Sequence, residues 1–178
     1  SVHFNWASGL DFLSSKDVAT KDQISDLPGR WLKGTDLSNK LTLSSASERA
    51  YGYAGNDLIA GLGGDDVLDG GDGIDTAIFR GQRKDYLLNR LSNGELELKD
   101  QRQQGVDSTQ TDGLDHLTAI ERLAFADMGL AMDMQGGAGQ VAKTLGAVFG
   151  KTAVANKEYV GIGLHFLDDL GYSYTDLM

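Results

Sequence analysis

Single aliphatic residues recur every nine positions through the first half of the chain, at positions 41, 50, 59, 68 and 77. Between positions 52 and 77, the residues separating them are mainly glycine and aspartate. Read in nines, the segment 52–78 is GYAGNDLIA, GLGGDDVLD and GGDGIDTAI, with glycine first and fourth, aspartate sixth and an aliphatic residue eighth. A self-similar segment of fixed period predicts stacked structural units, whereas a flexible linker has no reason to keep an apolar residue at every ninth position.

The same period extends towards the N-terminus in a weaker form. The units GTDLSNKLT (34–42) and LSSASERAY (43–51) keep Asn39 and Glu48 in the sixth place. Six aspartates and no basic residue lie between Arg49 and Arg80, so the repeats carry carboxylates without a local counter-charge. A cation is therefore the natural partner of this segment.

These units resemble the nonapeptide G-G-x-G-x-D-x-U-x of the RTX, or haemolysin-type, calcium-binding repeats, a motif associated with parallel β-helices. The resemblance implies a mainly β fold: a calcium-binding parallel β-roll, closed by a short β-hairpin or capping segment and followed by a small α-helical tail. It also implies that two units complete one coil, so that residues 18 apart stack at the strand spacing of about 4.8 Å.

Stacked carboxylates at that spacing repel one another by about 1 kcal/mol even at a water-like dielectric, and Ca²⁺ with its six to eight oxygen ligands would reverse that effect. The resemblance implies a first site formed by Tyr53, Gly55, Asp57, Gly70, Asp72 and Asp75. It implies a second site, on the other edge, formed by Ser44, Ala46, Glu48, Gly61, Gly63 and Asp66. Glu48 is one methylene longer than aspartate. Lys84, which cannot ligate calcium, is expected to end this second column at Asp66 unless the closing segment places an acid such as Asp115 over it.

The chain after the repeats changes character. Two β-like runs around SNG predict a hairpin over 86–100, with Leu96 and Leu98 on one face. The segment 101–129 resembles the closing segment of many RTX blocks, with DG-x-D-x-L followed by IE-R-L-x-F-x-D. That resemblance implies a further calcium site at Asp100 and Asp115, against the alternative of solvated loop acids.

Helical periodicity begins at position 138. Val141, Leu145, Val148 and Phe149 fall on one face, and Val160, Leu164, Phe166 and Leu167 on another, which predicts two short helices. Asn156 is expected to cap the second helix and Gly171 to end it. The tail resembles an uncharacterised helical segment that follows RTX blocks. The predicted domains are 1–33, packed over the open start of the roll; 34–130, the roll and its closing segment; and 131–178, a truncated tail.

The net charge of −10 and the sequence pI near 4.6 argue against nucleic acid and anionic membrane surfaces as partners. No cysteine is present, and no apolar run is long enough to span a membrane. The chain has no HExxH or GxSxG motif, and its histidines lie far apart, at positions 3, 116 and 165. The sequence therefore predicts no enzyme activity.

Three functional hypotheses follow. The first is a non-catalytic, calcium-dependent folding module of an extracellular protein exported by a Gram-negative type I system, as the resemblance implies. The second is a C-terminal module of a secreted protease, lipase or polysaccharide-modifying enzyme whose active site lies outside this chain. The third is an adhesin or surface-layer segment whose tail binds a protein or glycan.

Overall fold

Short strands that alternate between two sheets dominate the molecule. The structure is a computed structural model. It describes the backbone of residues 2–4, together with residues 31–102 and 111–176. The strands are β1 (Val2–Phe4), β2 (Trp31–Thr35), β3 (Lys40–Thr42), β4 (Arg49–Tyr53), β5 (Leu58–Ala60), β6 (Val67–Asp69), β7 (Thr76–Ile78), β8 (Tyr86–Arg90), β9 (Leu96–Asp100), β10 (Leu114–Thr118), β11 (Arg122–Ala124) and β12 (Gly129–Ala131).

Within the described part of the chain, each sheet has six strands and mixes parallel with antiparallel pairs. The first sheet has the order β1-β12-β11-β7-β5-β3, and the second has the order β2-β4-β6-β10-β9-β8. From β2 to β7 successive strands alternate between the sheets, so that Ile59 pairs with Ala77 in one and Ala50 with Leu68 in the other. Each of these parallel pairs joins residues 18 apart, as the resemblance to the RTX repeats implies.

The eighth-place aliphatic residues form the core between the two sheets. Ala50, Ile59, Leu68 and Ala77 are fully buried, and Leu41 is almost so. Because each nonapeptide contributes a single inward side chain, this core is thin and buries little apolar surface for the length of chain that it orders.

The predicted hairpin and closing segment continue the two sheets. β8 and β9 pair antiparallel, with Leu96 and Leu98 buried as expected. β10 then pairs parallel with β6, and β11 pairs parallel with β7. The closing segment therefore covers the last repeat strand of both sheets with strands that come from outside the nonapeptide pattern.

The tail contains three short α-helices rather than the two predicted: α1 (Gly137–Phe149), α2 (Lys151–Val154) and α3 (Lys157–Leu164), followed by a π-helical turn at His165–Asp169. Asn156 caps α3 through its side-chain oxygen, as expected, and Gly171 follows the last turn with a φ of 68°.

The predicted apolar faces of the tail are only partly correct. Val141, Leu145, Val160 and Leu164 are buried, and Leu167 packs against them. The remaining members are largely exposed, because they lie towards the helix ends: these are Val148, Phe149 and Phe166.

The position predicted for the N-terminal segment 1–33 is wrong for residues 2–4 and correct for residues 31–33. β1 pairs antiparallel with β12, at the closing end of the first sheet, instead of covering the open start. The start of the second sheet is formed by β2, which begins at Trp31 and crosses the predicted boundary at 33/34. Residues 5–30 lie outside the described part of the chain.

Candidate metal centre

The sixth-place side chains form two stacked columns, one along each edge of the sheets. The carboxylate oxygen Oδ1 of Asp57 accepts a hydrogen bond from the Asn39 amide at 2.7 Å, and Asp75 Oδ1 accepts one from the Asp57 amide at 2.7 Å. On the other edge, Asp66 Oδ1 accepts from the Glu48 amide at 2.8 Å. Each acid is therefore bonded to the turn 18 residues before it.

The second carboxylate oxygens lack such partners. Among the described residues, Oδ2 of Asp57, Asp66 and Asp75 is buried and accepts no hydrogen bond. Burial raises the pKa of Asp57 to about 6 and that of Asp66 and Asp75 to about 7, because desolvation disfavours the charged form. These oxygens are buried acceptors that a cation could satisfy.

The first-place glycines allow these oxygens to approach the backbone. A Cβ placed on Gly52 would lie 2.1 Å from Asp57 Oδ2 and 2.3 Å from the Gly70 carbonyl oxygen. A Cβ on Gly61 would lie 2.6 Å from Asp66 Oδ2. Carboxylate and main-chain oxygens therefore converge where a side chain on the turn would otherwise stand.

The other predicted ligands of the first site lie on the same stacked turns. Tyr53 carbonyl accepts a hydrogen bond from the Asp72 amide at 2.7 Å, and Asp72 carbonyl accepts one from the Gly55 amide at 2.9 Å. Tyr53 and Gly55 both have positive φ angles, of 77° and 101°. The structure therefore brings the two predicted halves of this site together, with the turn carbonyls held by main-chain pairing.

The second predicted site has the same stacking but a different acid. Gly63 donates its amide to the Ser44 carbonyl at 3.3 Å, and Gly64 lies against Ala46. Glu48 is buried, and its longer side chain reaches back to accept the Ser44 amide. In the turns that contain aspartate, Oδ2 has no such bond, whereas Asn39, which is no longer than aspartate, accepts the Thr35 amide in the same way, so side-chain length alone does not account for the bond.

The second column does not end at Asp66, because the alternative prediction, an acid of the closing segment over Asp66, is the arrangement in the structure. Asp115 lies over it, because its Oδ1 accepts the Asp66 amide at 3.0 Å. Asp115 is buried, and desolvation raises the pKa of its carboxyl to about 8. Lys84, which the period places here, instead lies exposed in a 3₁₀ turn at Arg83–Asp85. The period fails because the hairpin is inserted between the repeats and their continuation.

Asp100 has a different setting from Asp115. Its carboxylate forms an ion pair with Arg102 at 2.6 Å and accepts the Asp112 amide at 2.7 Å. Burial alone would raise the pKa of Asp100, but these hydrogen bonds together with the charge of Arg102 outweigh it and hold the pKa below its usual value. A calcium ion shared by Asp100 and Asp115 stays a prediction, and the contacts of Asp100 are those of an ion-paired residue.

Two further polar residues were missed by sequence reasoning. Glu121 accepts the Asp75 amide at 2.9 Å through Oε2 and so extends the first column. Arg122 is buried and pairs with Asp133 and, at 2.6 Å, with Asp168 of the tail. Both residues belong to the IE-R-L run, and the charged residues of that run were the sequence signal that could have identified them.

The donor set suits calcium better than most other metals. In the described residues no group of three or more histidine, cysteine, aspartate or glutamate side chains is arranged to hold a metal. Each stacked pair instead offers carboxylates together with main-chain carbonyls, which are the hard oxygen ligands that Ca²⁺ accepts in irregular geometry.

Residues 44–77 match the RTX calcium-binding nonapeptide repeat. The family model has four copies of the repeat, and the match ends at the last eighth-place residue, Ala77. The RTX match thus covers the stacked carboxylates up to Asp75 and leaves the hairpin, the closing segment and the tail outside. No curated protein matches the chain.

Outside the RTX repeats, the tail contains an open apolar cleft of about 380 Å³ between α1 and α3, lined mainly by Leu145, Phe149, Tyr159, Ile162 and Phe166. A protein or glycan partner for the tail stays a prediction. None of the described helices is long and apolar enough to cross a bilayer.

Proposed function

We propose that the chain is a non-catalytic, calcium-dependent folding and stabilising module of an extracellular protein, built as a parallel β-roll. The observation that carries this proposal is the set of buried Oδ2 atoms without hydrogen-bond partners, on Asp57, Asp66 and Asp75. Buried anions without partners oppose folding, and a divalent cation held between successive turns would offset that cost.

The ligands of the first ion are the carboxylates of Asp57 and Asp75 with the carbonyls of Tyr53, Gly55, Gly70 and Asp72. Those of the second ion are Glu48 and Asp66 with the carbonyls of Ser44, Ala46, Gly61 and Gly63. Asp115, which bonds to the Asp66 amide, is positioned to add a carboxylate beyond Asp66. Magnesium, with its small octahedral shell, fits such carbonyl-rich turns less well.

The mechanism is coupled binding and folding. Where calcium is scarce, as in the cytosol, the mutual repulsion of the stacked acids and the thin core leave the repeats extended and competent for export through a type I system. At extracellular calcium concentrations, binding supplies the free energy that the small core lacks.

Far-UV circular dichroism of the chain stripped of metal and titrated with calcium tests the proposal. We expect β signal to appear with a midpoint of about 10⁻⁴ to 10⁻³ M, the range of extracellular calcium modules. Magnesium at the same concentrations is the control and should give a smaller change. A full β signal in excess EGTA, unchanged by calcium, would contradict the proposal.

A further inference from the structure

The closing segment reproduces the geometry of a repeat turn without its sequence. β11 pairs with β7 in parallel register, so that Leu123 lies beside Ala77 as Ala77 lies beside Ile59. The residue that precedes β11 is Glu121, which therefore occupies the place that a sixth-position aspartate has in a nonapeptide. The first column thus runs through Asn39, Asp57, Asp75 and Glu121.

The hydrogen bonds at this step match those one coil earlier. The Asp75 amide donates to Glu121 Oε2 at 2.9 Å, as the Asp57 amide donates to Asp75 Oδ1 at 2.7 Å. The Asp75 carbonyl accepts the Arg122 amide at 2.9 Å, as the Asp57 carbonyl accepts the Thr76 amide at 2.8 Å. Glu121 is therefore held as a member of the column.

A second observation points to a ligand at this step. Asp75 is fully buried, and its Oδ2 has no hydrogen-bond partner. A Cβ placed on Gly70 would lie 2.5 Å from that oxygen and 2.2 Å from the Ala119 carbonyl oxygen. A Cβ placed on Gly52 meets the equivalent pair of atoms one coil earlier, Asp57 Oδ2 and the Gly70 carbonyl oxygen. Ala119 has a φ of 49°, so its backbone is left-handed at the point where its carbonyl meets Gly70.

The guanidinium of Arg122 favours the ionised form of Glu121 but makes its contacts elsewhere. Arg122 directs its side chain to the carboxylates of Asp133 and Asp168 and to the main-chain carbonyl of Glu121. The carboxylates of Asp75 and Glu121 therefore remain without an ion pair to Arg122.

We propose that Asp75, Glu121 and the Ala119 carbonyl hold a further calcium-class cation at the closing end of the first column, outside the nonapeptide repeats. This site rests on the proposed function, since it uses the same chemistry one coil further along. It makes the closing segment a ligand donor, so that the last repeat turn and its cap are joined by an ion as well as by strand pairing.

Calcium counting by equilibrium dialysis tests the site on the intact chain. We expect Glu121→Gln to bind one ion fewer than the unmodified chain, with its β signal in saturating calcium retained. Glu158→Gln, which changes an exposed glutamate of α3, is the matched control and should keep the full count. An equal count for Glu121→Gln would overturn the site and leave the proposed function standing, whereas no calcium binding by the unmodified chain would reject both.

A second measurement does not depend on a folded variant. Crystals of the unmodified chain grown with terbium should show an anomalous peak within coordination distance of Asp75 Oδ2 and the Glu121 carboxylate. Peaks at the repeat turns with none at this position would overturn the site.

Discussion

Single glycines decide how closely the turns of this molecule can stack. Gly52 and Gly70 lie where a carboxylate oxygen meets a main-chain carbonyl oxygen of a later turn, and Gly61 lies against the Asp66 carboxylate. A side chain of any size at these positions would occupy the space of the candidate ligands. At Gly52 the requirement is steric, since its φ is not in the left-handed region, whereas Gly55 and Gly64, both with a φ of 101°, also need the conformational freedom of glycine.

We predict that Gly52→Ala disrupts calcium-induced folding. Its Cβ would stand 2.1 Å from Asp57 Oδ2, and the backbone or the carboxylate must move to relieve the clash. Overpacking of this kind lowers the free energy of unfolding by about 1–3 kcal/mol. The measurement is urea unfolding in saturating calcium, together with the calcium midpoint of the circular dichroism signal.

Gly146→Ala is the control for this substitution. A Cβ at Gly146, in α1, meets only Val154 Cγ2 at 3.5 Å, which is an ordinary contact. It should leave stability unchanged or raise it by about 0.5–1 kcal/mol, because alanine favours the helix. Equal stability of Gly52→Ala and the unmodified chain would show that the turns are looser than the structure indicates.

At the scale of elements, the hairpin β8–β9 is held to the rest of the two-sheet structure by a buried polar network. Asp112 accepts hydrogen bonds from the Arg80 side chain, at 2.6 Å, and from the Tyr86 hydroxyl. The Tyr86 hydroxyl in turn accepts the Gly81 amide at 2.8 Å. Burial, with the Asp112 carboxylate as hydrogen-bond partner, raises the pKa of Tyr86 above its usual value, so the phenol keeps its proton.

We predict that Tyr86→Phe destabilises the protein by about 1–3 kcal/mol, because it leaves the Gly81 amide and part of the Asp112 carboxylate buried without this partner. The effect should appear in urea unfolding at saturating calcium, while the number of bound ions stays the same. Tyr159→Phe, at an exposed tyrosine of α3, is the control and should change stability by less than about 0.5 kcal/mol. A change in the calcium count would instead place Tyr86 in the metal chemistry.

The tail is joined to the closing segment by the same kind of interaction. Arg122, which begins β11, pairs with Asp133, which lies before α1, and with Asp168 in the π-helical turn. A buried charge that loses its partners destabilises the protein. This ion-pair network therefore stabilises the packing of the tail against β11.

At the scale of the whole molecule, the buried carboxylates make the stability of the metal-free protein depend on pH. Burial raises the pKa of Asp57 to about 6, of Asp66 and Asp75 to about 7 and of Asp115 to about 8, against about 3.9 in an unfolded chain. At pH values between the pKa of the unfolded chain and the raised pKa values of the folded protein, the folded state binds more protons than the unfolded state. The contribution of these groups is therefore greatest below about pH 4 and is lost as the pH rises through 6 to 8.

We predict that the metal-free protein has more β structure at pH 5 than at pH 8, where ionisation of its buried acids leaves the repeats extended, and that calcium affinity changes in the opposite direction because its ligands must lose their protons. Far-UV circular dichroism of protein stripped of metal on a chelating resin, at several pH values, checks the first part. Asp66→Asn should reduce the pH dependence, whereas Asp36→Asn, at an exposed aspartate, should preserve it. A β signal that rises with pH in the absence of metal would refute the prediction.

The sequence by itself determined the nine-residue period and the hairpin with Leu96 and Leu98 inside, because both follow from local periodicity. The inward aliphatic residues and the 18-residue stacking of Asp57 on Asp75 were predicted from the resemblance to the RTX repeats, which supplied the two units per coil that the period alone does not specify. The helix cap at Asn156 could also be predicted from the sequence, because a cap depends on residues within one turn of it.

Only the tertiary structure decided how the columns end. Asp115 and Glu121 lie 49 and 46 residues after their partners Asp66 and Asp75, because a hairpin and a loop intervene before the chain returns to the same edges. No period in the sequence specifies where such a return lands, since strand pairing over that separation is set by the three-dimensional register. For the same reason, β1 lies beside β12 at the closing end, whereas the sequence predicted that the N-terminal segment lies at the open start.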